Sequence, residues 1–151
     1  MDPTVLSHII HRSCEIKAEV VSQDEKESGL RIILNFGHTL AHAIESETNY
    51  DVYNHGEAVA IGMYGAARLS CKLGLIQASD VERVKNMLQK FHLPIKAQQC
   101  TVDGLFKSIF HDKKAVNGKV KWVLMESIGK VRTMTDISDD LVQEIMAEII
   151  L

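Results

Sequence analysis

The sequence predicts a mainly α-helical fold with one small β-hairpin. Only two prolines and 5% aromatic residues occur among the 151 residues, a composition that favours helices over an extensive sheet. Apolar residues recur every three to four positions along much of the chain, which is the period of a helix that buries one face. Two short apolar runs flank Ile128-Gly129, a spacing typical of a hairpin.

Helix-starting and helix-ending residues delimit the first half of the chain. Pro3 suits a helix start, Gly29 closes a polar acidic run, and Gly74 ends a strongly apolar segment. The predicted elements are, in order, a helix over 4–21, a loop over 22–28, a helix over 30–47, a turn over 48–54 and a helix over 56–73.

The second half is divided in the same way. Ser79-Asp80-Val81-Glu82 has the pattern of a capping box, and Pro94 prevents the helix that follows from continuing. The predicted elements are a helix over 79–91, a short helix over 102–111, a turn at Asn117-Gly118, strands over 120–125 and 131–134, and a last helix capped by Ser138.

Composition limits the class of protein. The length suits a single domain spanning residues 1–151. A net charge of −3 gives no reason to expect a nucleic-acid partner, and no apolar run approaches the ~20 residues that cross a bilayer. The first residues lack the pattern of a signal peptide. Cys14, Cys71 and Cys100 are odd in number and far apart, which fits reduced thiols in a cytoplasmic protein.

Three of the seven histidines lie between positions 38 and 55. His38 and His42 are four residues apart and share one face of a helix, and His55 begins the next apolar run after a short polar break. Such a trio suits a zinc-like ion or a proton-transfer site. All three could bind the ion, or two could bind it while the third exchanges protons. The spacing differs from the HExxH motif of zinc peptidases.

Neighbouring residues qualify that prediction. Gly37 costs roughly 1 kcal/mol of helix propensity relative to alanine, which indicates close packing or room for a ligand. Glu45 and Glu57 are carboxylates that could complete a metal shell. A structural role is favoured for both, since Glu57 falls in the first turn of its helix, where the helix dipole stabilises negative charge.

Polar residues also precede the trio. At helical spacing Arg31, Asn35, His38 and His42 form one polar stripe, and buried polar groups must be hydrogen-bonded or liganded. Arginine or lysine in such a place suits phosphate or carboxylate. The other basic candidates lie in separate segments, where each alone is typical of a solvated surface charge: Lys17 and the pair Lys113-Lys114.

From about residue 12 to residue 150 the chain resembles the 3-dehydroquinate synthases, members of the sugar-phosphate cyclase superfamily. The two specific segments are 35–45, with Gly37-His38-Thr39, and 55–63, with His55-Gly56-Glu57. Weaker matches are Cys14 to Val21, Gly29-Leu30-Arg31, Asp112-Lys113-Lys114 and Val120 to Leu124.

The resemblance implies roles for individual residues. His38 and His55 would hold a catalytic zinc ion, for which cobalt can substitute. His42 would contact the substrate and assist proton transfer, and Arg31 and Asn35 would share in catalysis. The residues implied to bind the phosphorylated seven-carbon sugar acid are Lys17, Arg31, Asn35, His42 and one of Lys113 or Lys114, which the resemblance does not separate.

The resemblance also implies a reaction of the shikimate pathway. NAD transiently oxidises a hydroxyl group of 3-deoxy-arabino-heptulosonate 7-phosphate, phosphate is eliminated, the ketone is reduced again, and the ring opens and recloses by an aldol step to give 3-dehydroquinate. Because NAD is regenerated, the enzyme is a lyase. A metal that acidifies hydroxyl groups, fixed cations and a histidine near its working pKa suit this chemistry.

Two features of the family have no counterpart in this sequence. One is the NAD-binding domain that forms the family's first half, since no G-x-G-x-x-G pattern occurs. The other is a third zinc ligand, a glutamate in an Ala-Glu-x-x-Lys element upstream. We therefore expect a helical C-terminal metal- and substrate-binding part that is inactive by itself and binds zinc weakly. A face exposed where the NAD domain belongs is expected to favour self-association as a homodimer.

Two alternatives remain open at this point. One is a related sugar-phosphate cyclase that makes a cyclitol, which shares the metal and NAD chemistry but takes a different sugar phosphate. The other is a helical metal-binding or interaction module without chemistry of its own.

Overall fold

The computed structural model describes residues 2–26, 29–111 and 119–151 of the chain. These residues belong to two compact units, Met1–Asn35 and Phe36–Leu151. Among the described residues the fold is mainly α-helical with one two-stranded antiparallel hairpin, so the predicted fold class is confirmed. The expected single domain over residues 1–151 stays a prediction. None of the described helices has both the length and the apolar character needed to cross a lipid bilayer.

The first unit consists of a long helix and a short 3₁₀ segment. Helix α1 spans Pro3–Gln23, and its N-cap residue Asp2 accepts a hydrogen bond of 2.7 Å from the Thr4 N–H. Its side chains are mostly exposed, and Val20 is buried. A 3₁₀ segment over Leu30–Asn35 follows.

The buried Asp24 binds backbone N–H groups near the start of the 3₁₀ segment. Its Oδ2 accepts hydrogen bonds from the N–H groups of Gly29 at 2.7 Å and Arg31 at 2.9 Å. The Arg31 guanidinium donates a further bond of 2.9 Å to the Glu25 carbonyl oxygen. The carboxylate thus satisfies two backbone donors at the start of the 3₁₀ segment.

The predicted continuous helix over 30–47 is wrong. The 3₁₀ segment ends at Asn35, and α2 begins only at His38. Between them Gly37 has φ 83°, a left-handed conformation that glycine adopts without the steric cost a side chain would bring. The polar stripe predicted along one helix face is therefore wrong as well, because Arg31 and Asn35 do not share an α-helix with His38 and His42.

The second unit contains the remaining helices and the hairpin. Its elements are α2 over His38–Glu47, α3 over His55–Lys72, α4 over Ala78–Lys90, α5 over Val102–His111, β1 over Trp122–Ser127, β2 over Lys130–Met134 and α6 over Asp139–Ile149. Apart from the start of α2, these bounds match the predicted ones within a few residues. The predicted turn at Asn117-Gly118 lies outside the described residues.

Helices α2 and α3 pack against each other and supply the centre of the core. Their side chains meet those of α5, α6 and β1 in one apolar cluster. Its members with 3% exposure or less include Leu40, Ala41, Ile44, Ala58, Ile61, Leu69, Leu105, Ile109, Trp122, Leu124, Val142, Ile145, Met146 and Ile149. The buried apolar faces of α2 and α3 therefore hold in place the two helices that begin at His38 and His55.

The hairpin packs on α3 through a polar contact as well as apolar ones. The Ser70 hydroxyl, fully buried, donates to the Ala66 carbonyl at 2.7 Å and accepts from the Met125 N–H at 2.9 Å. Gly129, with φ 86°, forms the turn, and a register shift occurs between Met125 and Ser127.

Capping differs from prediction at α4. The helix begins at Ala78, and the Asp80 carboxylate accepts from the Gln77 N–H at 3.2 Å, so the capping pair lies two residues before the predicted Ser79 and Glu82. Ser138 occupies the predicted N-cap position of α6, although its side chain makes no capping hydrogen bond.

Candidate metal centre

The first residues of α2 and α3 bring three imidazoles together. His38 is the first residue of α2, His42 follows one turn later, and His55 is the first residue of α3. The start of α3 is fixed by the Asn54 N–H, which donates to the Glu57 carboxylate at 2.9 Å. The structural role predicted for Glu57 is confirmed.

The ring centroids lie close to one another. His38 is 5.3 Å from His55 with an angle of 64° between the ring planes, and 5.6 Å from His42 with an angle of 86°. His42 and His55 are 6.2 Å apart and nearly parallel, at 24°. The trio predicted from the sequence is therefore a cluster in space.

Two glycines allow the start of α2 to approach α3. A Cβ added to Gly62 would lie 2.1 Å from the Gly37 carbonyl oxygen, and a Cβ added to Gly37 would lie 2.6 Å from the Met63 nitrogen. Real side chains do not reach such distances, so both positions must stay without a Cβ at this spacing. The predicted close packing at Gly37 is what the structure contains.

Each of two histidines has its Nδ1 atom engaged by an acceptor. The Nδ1 of His38 lies 3.3 Å from the Phe36 carbonyl oxygen, and the Nδ1 of His55 lies 2.8 Å from Oε1 of Glu45. Carbonyl and carboxylate oxygens accept hydrogen bonds, so Nδ1 is the protonated nitrogen in both contacts. The Nε2 atoms then carry the free lone pairs, and Nε2 is a usual metal-binding atom of histidine.

Burial and charge favour the neutral form of His38. Burial lowers the pKa of His38 below its ordinary value, and nearby positive charge on His42 or His55 lowers the pKa further, against the opposing effects of the Phe36 carbonyl and Glu45. Neutral imidazole is the form that binds metal ions. The His42 and His55 side chains are exposed.

The spacing of His38 and His55 fits a shared ion. Two imidazoles bound to one tetrahedral zinc through nitrogens about 2.0–2.1 Å from it have ring centroids roughly 5 Å apart. The 5.3 Å separation meets this requirement most nearly; the separation of His38 and His42 is slightly wider at 5.6 Å, and that of His42 and His55 is the widest at 6.2 Å. In the part of the chain that the structure describes, no group of three or more His, Cys, Asp or Glu side chains is arranged to hold an ion by itself.

The predicted cationic and amide residues belong to the first compact unit or lie outside the described residues. Lys17 lies exposed on α1, while Arg31 and Asn35 lie in the 3₁₀ segment, half-buried. All three belong to the first compact unit, whereas the histidines belong to the second. Lys113 and Lys114 lie outside the described residues. Convergence of these groups on the histidines stays a prediction.

Sequence reasoning missed the partnership of Glu45 with His55. The structural role expected for Glu45 does not include this contact: its side chain is 8% exposed and bonds the imidazole directly. A signal was present in the sequence, since Glu45 follows Ala41 by four residues and so continues the apolar face of α2. A charged side chain on a buried face requires a hydrogen-bonding or ionic partner. The histidines near Glu45 in the sequence were the candidates for that partner.

Comparison with known proteins relates the chain to one enzyme family. The sequence model described as "3-dehydroquinate synthase C-terminal" matches residues 1–115. The 3-dehydroquinate synthase of Thermodesulfovibrio yellowstonii is 45% identical over 148 residues, which are 97% of this chain and 41% of that protein. The enzyme of Campylobacter jejuni subsp. doylei is 48% identical over 136 residues, 90% of this chain and 39% of that protein. The chain thus spans about two fifths of the length of these curated relatives.

Solved structures of related enzymes share the fold. A 2-epi-5-epi-valiolone synthase from Streptomyces hygroscopicus subsp. jinggangensis, with NAD⁺ and Zn²⁺ bound, matches with a TM-score of 0.84 at 23% identity, over 98% of this chain and 41% of that one. At that identity the likeness concerns the fold alone. A 2-deoxy-scyllo-inosose synthase complexed with carbaglucose-6-phosphate, NAD⁺ and Co²⁺ matches with a TM-score of 0.82 at 26% identity, over 98% and 42% of the two chains.

Proposed function

The chain belongs to the 3-dehydroquinate synthase C-terminal family, and from this membership we propose that it forms the metal- and substrate-binding part of a 3-dehydroquinate synthase. The complete enzyme would convert 3-deoxy-arabino-heptulosonate 7-phosphate to 3-dehydroquinate and phosphate as a lyase. The observation that carries the proposal is the 5.3 Å separation of the His38 and His55 rings, each with Nδ1 engaged by an acceptor.

The proposed metal ligands in this chain are His38 and His55. Both leave Nε2 available, and their spacing suits zinc or cobalt. Bound there, the ion would acidify and orient substrate hydroxyl groups. A third protein ligand is expected from the glutamate that the family carries upstream of the matched segment, so the 151-residue chain by itself is expected to bind zinc weakly and to show no turnover.

The other proposed roles concern substrate binding and proton movement. His42 is exposed beside the two ligands and is not needed to satisfy the spacing of the pair, so we assign it proton transfer to and from the substrate. Lys17, Arg31, Asn35 and one of Lys113 or Lys114 are the proposed contacts to the carboxylate and phosphate groups, because fixed cations stabilise such charges.

NAD would bind mainly to the domain that precedes this segment in the family. Apolar side chains on α1 support the expectation that a neighbouring surface covers this helix, since Val5 is 51% exposed, Leu6 44% and Ile10 55%. That surface would belong to the NAD-binding domain or to a second copy in a homodimer. Sedimentation of the chain at increasing concentration tests the second case.

A chimera tests the proposed activity. In it this chain replaces the matching C-terminal segment of the T. yellowstonii relative, and phosphate release is measured with NAD, Zn²⁺ and the seven-carbon substrate. We expect turnover that is abolished by His55→Ala. Release from glucose 6-phosphate instead would favour a cyclitol-forming cyclase, and a folded chimera that binds NAD and zinc but releases phosphate from neither substrate would contradict the proposal.

A further inference from the structure

Glu45 and His55 are joined across two helices by a short hydrogen bond. Oε1 of Glu45 lies 2.8 Å from Nδ1 of His55. The two side chains differ strongly in exposure, at 8% for Glu45 and 59% for His55. The carboxylate is thus the buried partner, while the imidazole reaches solvent from the first turn of α3.

Glu45 lies on the buried side of α2. Ala41, one turn earlier on the same side, is buried with it at 0% exposure. A carboxylate in such surroundings is retained only when hydrogen bonds compensate its lost hydration. Few rotamers are open to it, so its acceptor oxygen holds the imidazole in one orientation.

We propose that Glu45 is a positioning residue that sets the tautomer and ring orientation of His55 for metal binding. The Nδ1–H of His55 donates to the carboxylate, so Nε2 keeps its lone pair for the ion that His38 shares. This inference rests on the proposed metal site. We assign Glu45 this positioning role and not a ligand role, because its Oε1 accepts from the His55 ring.

The two histidine ligands are oriented by acceptors of different strength. His38 uses the neutral carbonyl oxygen of Phe36 at 3.3 Å, and His55 uses a carboxylate at 2.8 Å. Hydrogen bonds to ionised acceptors are shorter and stronger than neutral ones, and a carboxylate partner raises the basicity of a ligating imidazole. The ring orientation and basicity of His55 therefore depend on Glu45, although the imidazole itself is exposed.

Tautomers in the metal-free chain test the inference without any variant. Two-bond ¹H–¹⁵N spectra of histidine-labelled protein, recorded about two pH units above the ordinary histidine pKa, distinguish Nδ1–H from Nε2–H rings. We expect His55 as the Nδ1–H tautomer. A wild-type His55 that is mainly the Nε2–H tautomer would overturn the proposal even if every variant failed to fold.

Three variants isolate the carboxylate. Glu45→Leu suits the apolar surroundings but removes the acceptor, so the His55 tautomer should shift toward Nε2–H while His38 stays unchanged as an internal control. Glu45→Gln keeps an acceptor oxygen and should restore the wild-type tautomer. Glu57→Gln, a matched change two residues from His55 whose amide oxygen can still accept from Asn54, should leave the spectrum unaltered.

A zinc titration followed in the same spectra measures the effect on the metal. Glu45→Leu should weaken zinc binding at His55 by about 10- to 100-fold, the usual effect of losing such a partner, and Glu45→Gln by less. Equal affinity of wild type and Glu45→Leu would overturn the positioning role. A wild-type chain whose His38 and His55 nitrogens do not respond to zinc would instead contradict the metal site of the proposed function, leaving the tautomer result to judge the Glu45–His55 pair.

Discussion

The carbonyl oxygen of Gly37 lies so close to Gly62 that a Cβ added to Gly62 would be 2.1 Å from it. The contact joins the left-handed turn before α2 to the middle of α3, so it sets how closely His38 approaches the helix that carries His55. The obstructing atom belongs to the backbone and cannot move aside as the end of a side chain would.

Gly62→Ala should therefore damage both the fold and the site. Overpacking of this kind costs about 1–3 kcal/mol or more, and the forced separation would displace His38. We expect a lower free energy of unfolding in denaturant titration and weaker zinc binding. Gly56→Ala is the control, because a Cβ there meets nothing within 4 Å. Equal stability of the two variants would contradict the packing argument.

Ser70→Ala should destabilise the contact between α3 and the hairpin. The substitution leaves the buried Met125 N–H without the acceptor that now lies 2.9 Å away, and an unsatisfied buried donor costs about 1–3 kcal/mol. Thermal unfolding and amide exchange at Met125 measure the loss. Ser13→Ala removes a comparable 2.8 Å bond from an exposed serine on α1 and should change stability by less than about 0.5 kcal/mol.

The Arg68–Glu148 pair should make stability depend on pH in the acid range. Arg68 donates to Glu148 through Nε at 2.6 Å and Nη2 at 2.8 Å, joining α3 to α6. The hydrogen bonds and charge of Arg68 hold the pKa of Glu148 below its ordinary value. A carboxyl whose pKa is lowered by folding stabilises the fold above its unfolded pKa, and the contribution is lost as pH falls through the folded value.

Glu148→Gln should accordingly lower the free energy of unfolding by about 1 kcal/mol at pH 7, since the pair is bidentate and about 30% exposed. The difference from wild type should begin to shrink as pH falls below about 4, near the pKa of an unfolded glutamate. It should vanish only below the lowered pKa of the folded state, where Glu148 is protonated in both states. Glu82→Gln breaks the Lys85 pair, whose glutamate is 56% exposed, and should have little effect at any pH. A pH-independent deficit in Glu148→Gln would refute the ion-pair interpretation.

His42→Ala separates a catalytic from a structural histidine. Because the His42 side chain is exposed, its removal should change stability by less than about 0.5 kcal/mol. As a proton-transfer group it should lower kcat of the chimera by roughly 10²–10⁴-fold while zinc binding is retained. His11→Ala, an exposed histidine on α1, should leave kcat unchanged. Lost stability with unchanged kcat in His42→Ala would favour a structural role.

Local patterns were sufficient for most of the fold. The bounds of α3, the start of α6 and the hairpin turn at Gly129 follow from helical periodicity, the residue types at helix ends and glycine, all of which act over a few residues. The prediction of one helix over 30–47 was wrong because a short 3₁₀ segment and an α-helix place apolar residues at similar spacings. The turn at Gly37 lies against Gly62, 25 positions away, and local spacing does not reveal this contact.

In the candidate site, the closeness of the histidines could be predicted from the sequence, whereas the role of Glu45 could not. His38 and His55 are adjacent because α2 and α3 are joined by a short turn, so sequence spacing was a sufficient guide. The role of Glu45 depends on which face of α2 meets the start of α3, and that orientation is set by the burial of Leu40, Ile44 and Ile61. The sequence alone places the Glu45 carboxylate on the buried face of α2 but does not identify His55 as its partner.

The burial of those three side chains, each 0–1% exposed, has a consequence for dynamics. These side chains anchor the helices that present the imidazoles, and we expect backbone amides in such segments to exchange with solvent only when the whole unit opens. At the proposed metal site, the scaffold behind the histidines should therefore be ordered before any ion arrives, and metal uptake should not wait for it to fold.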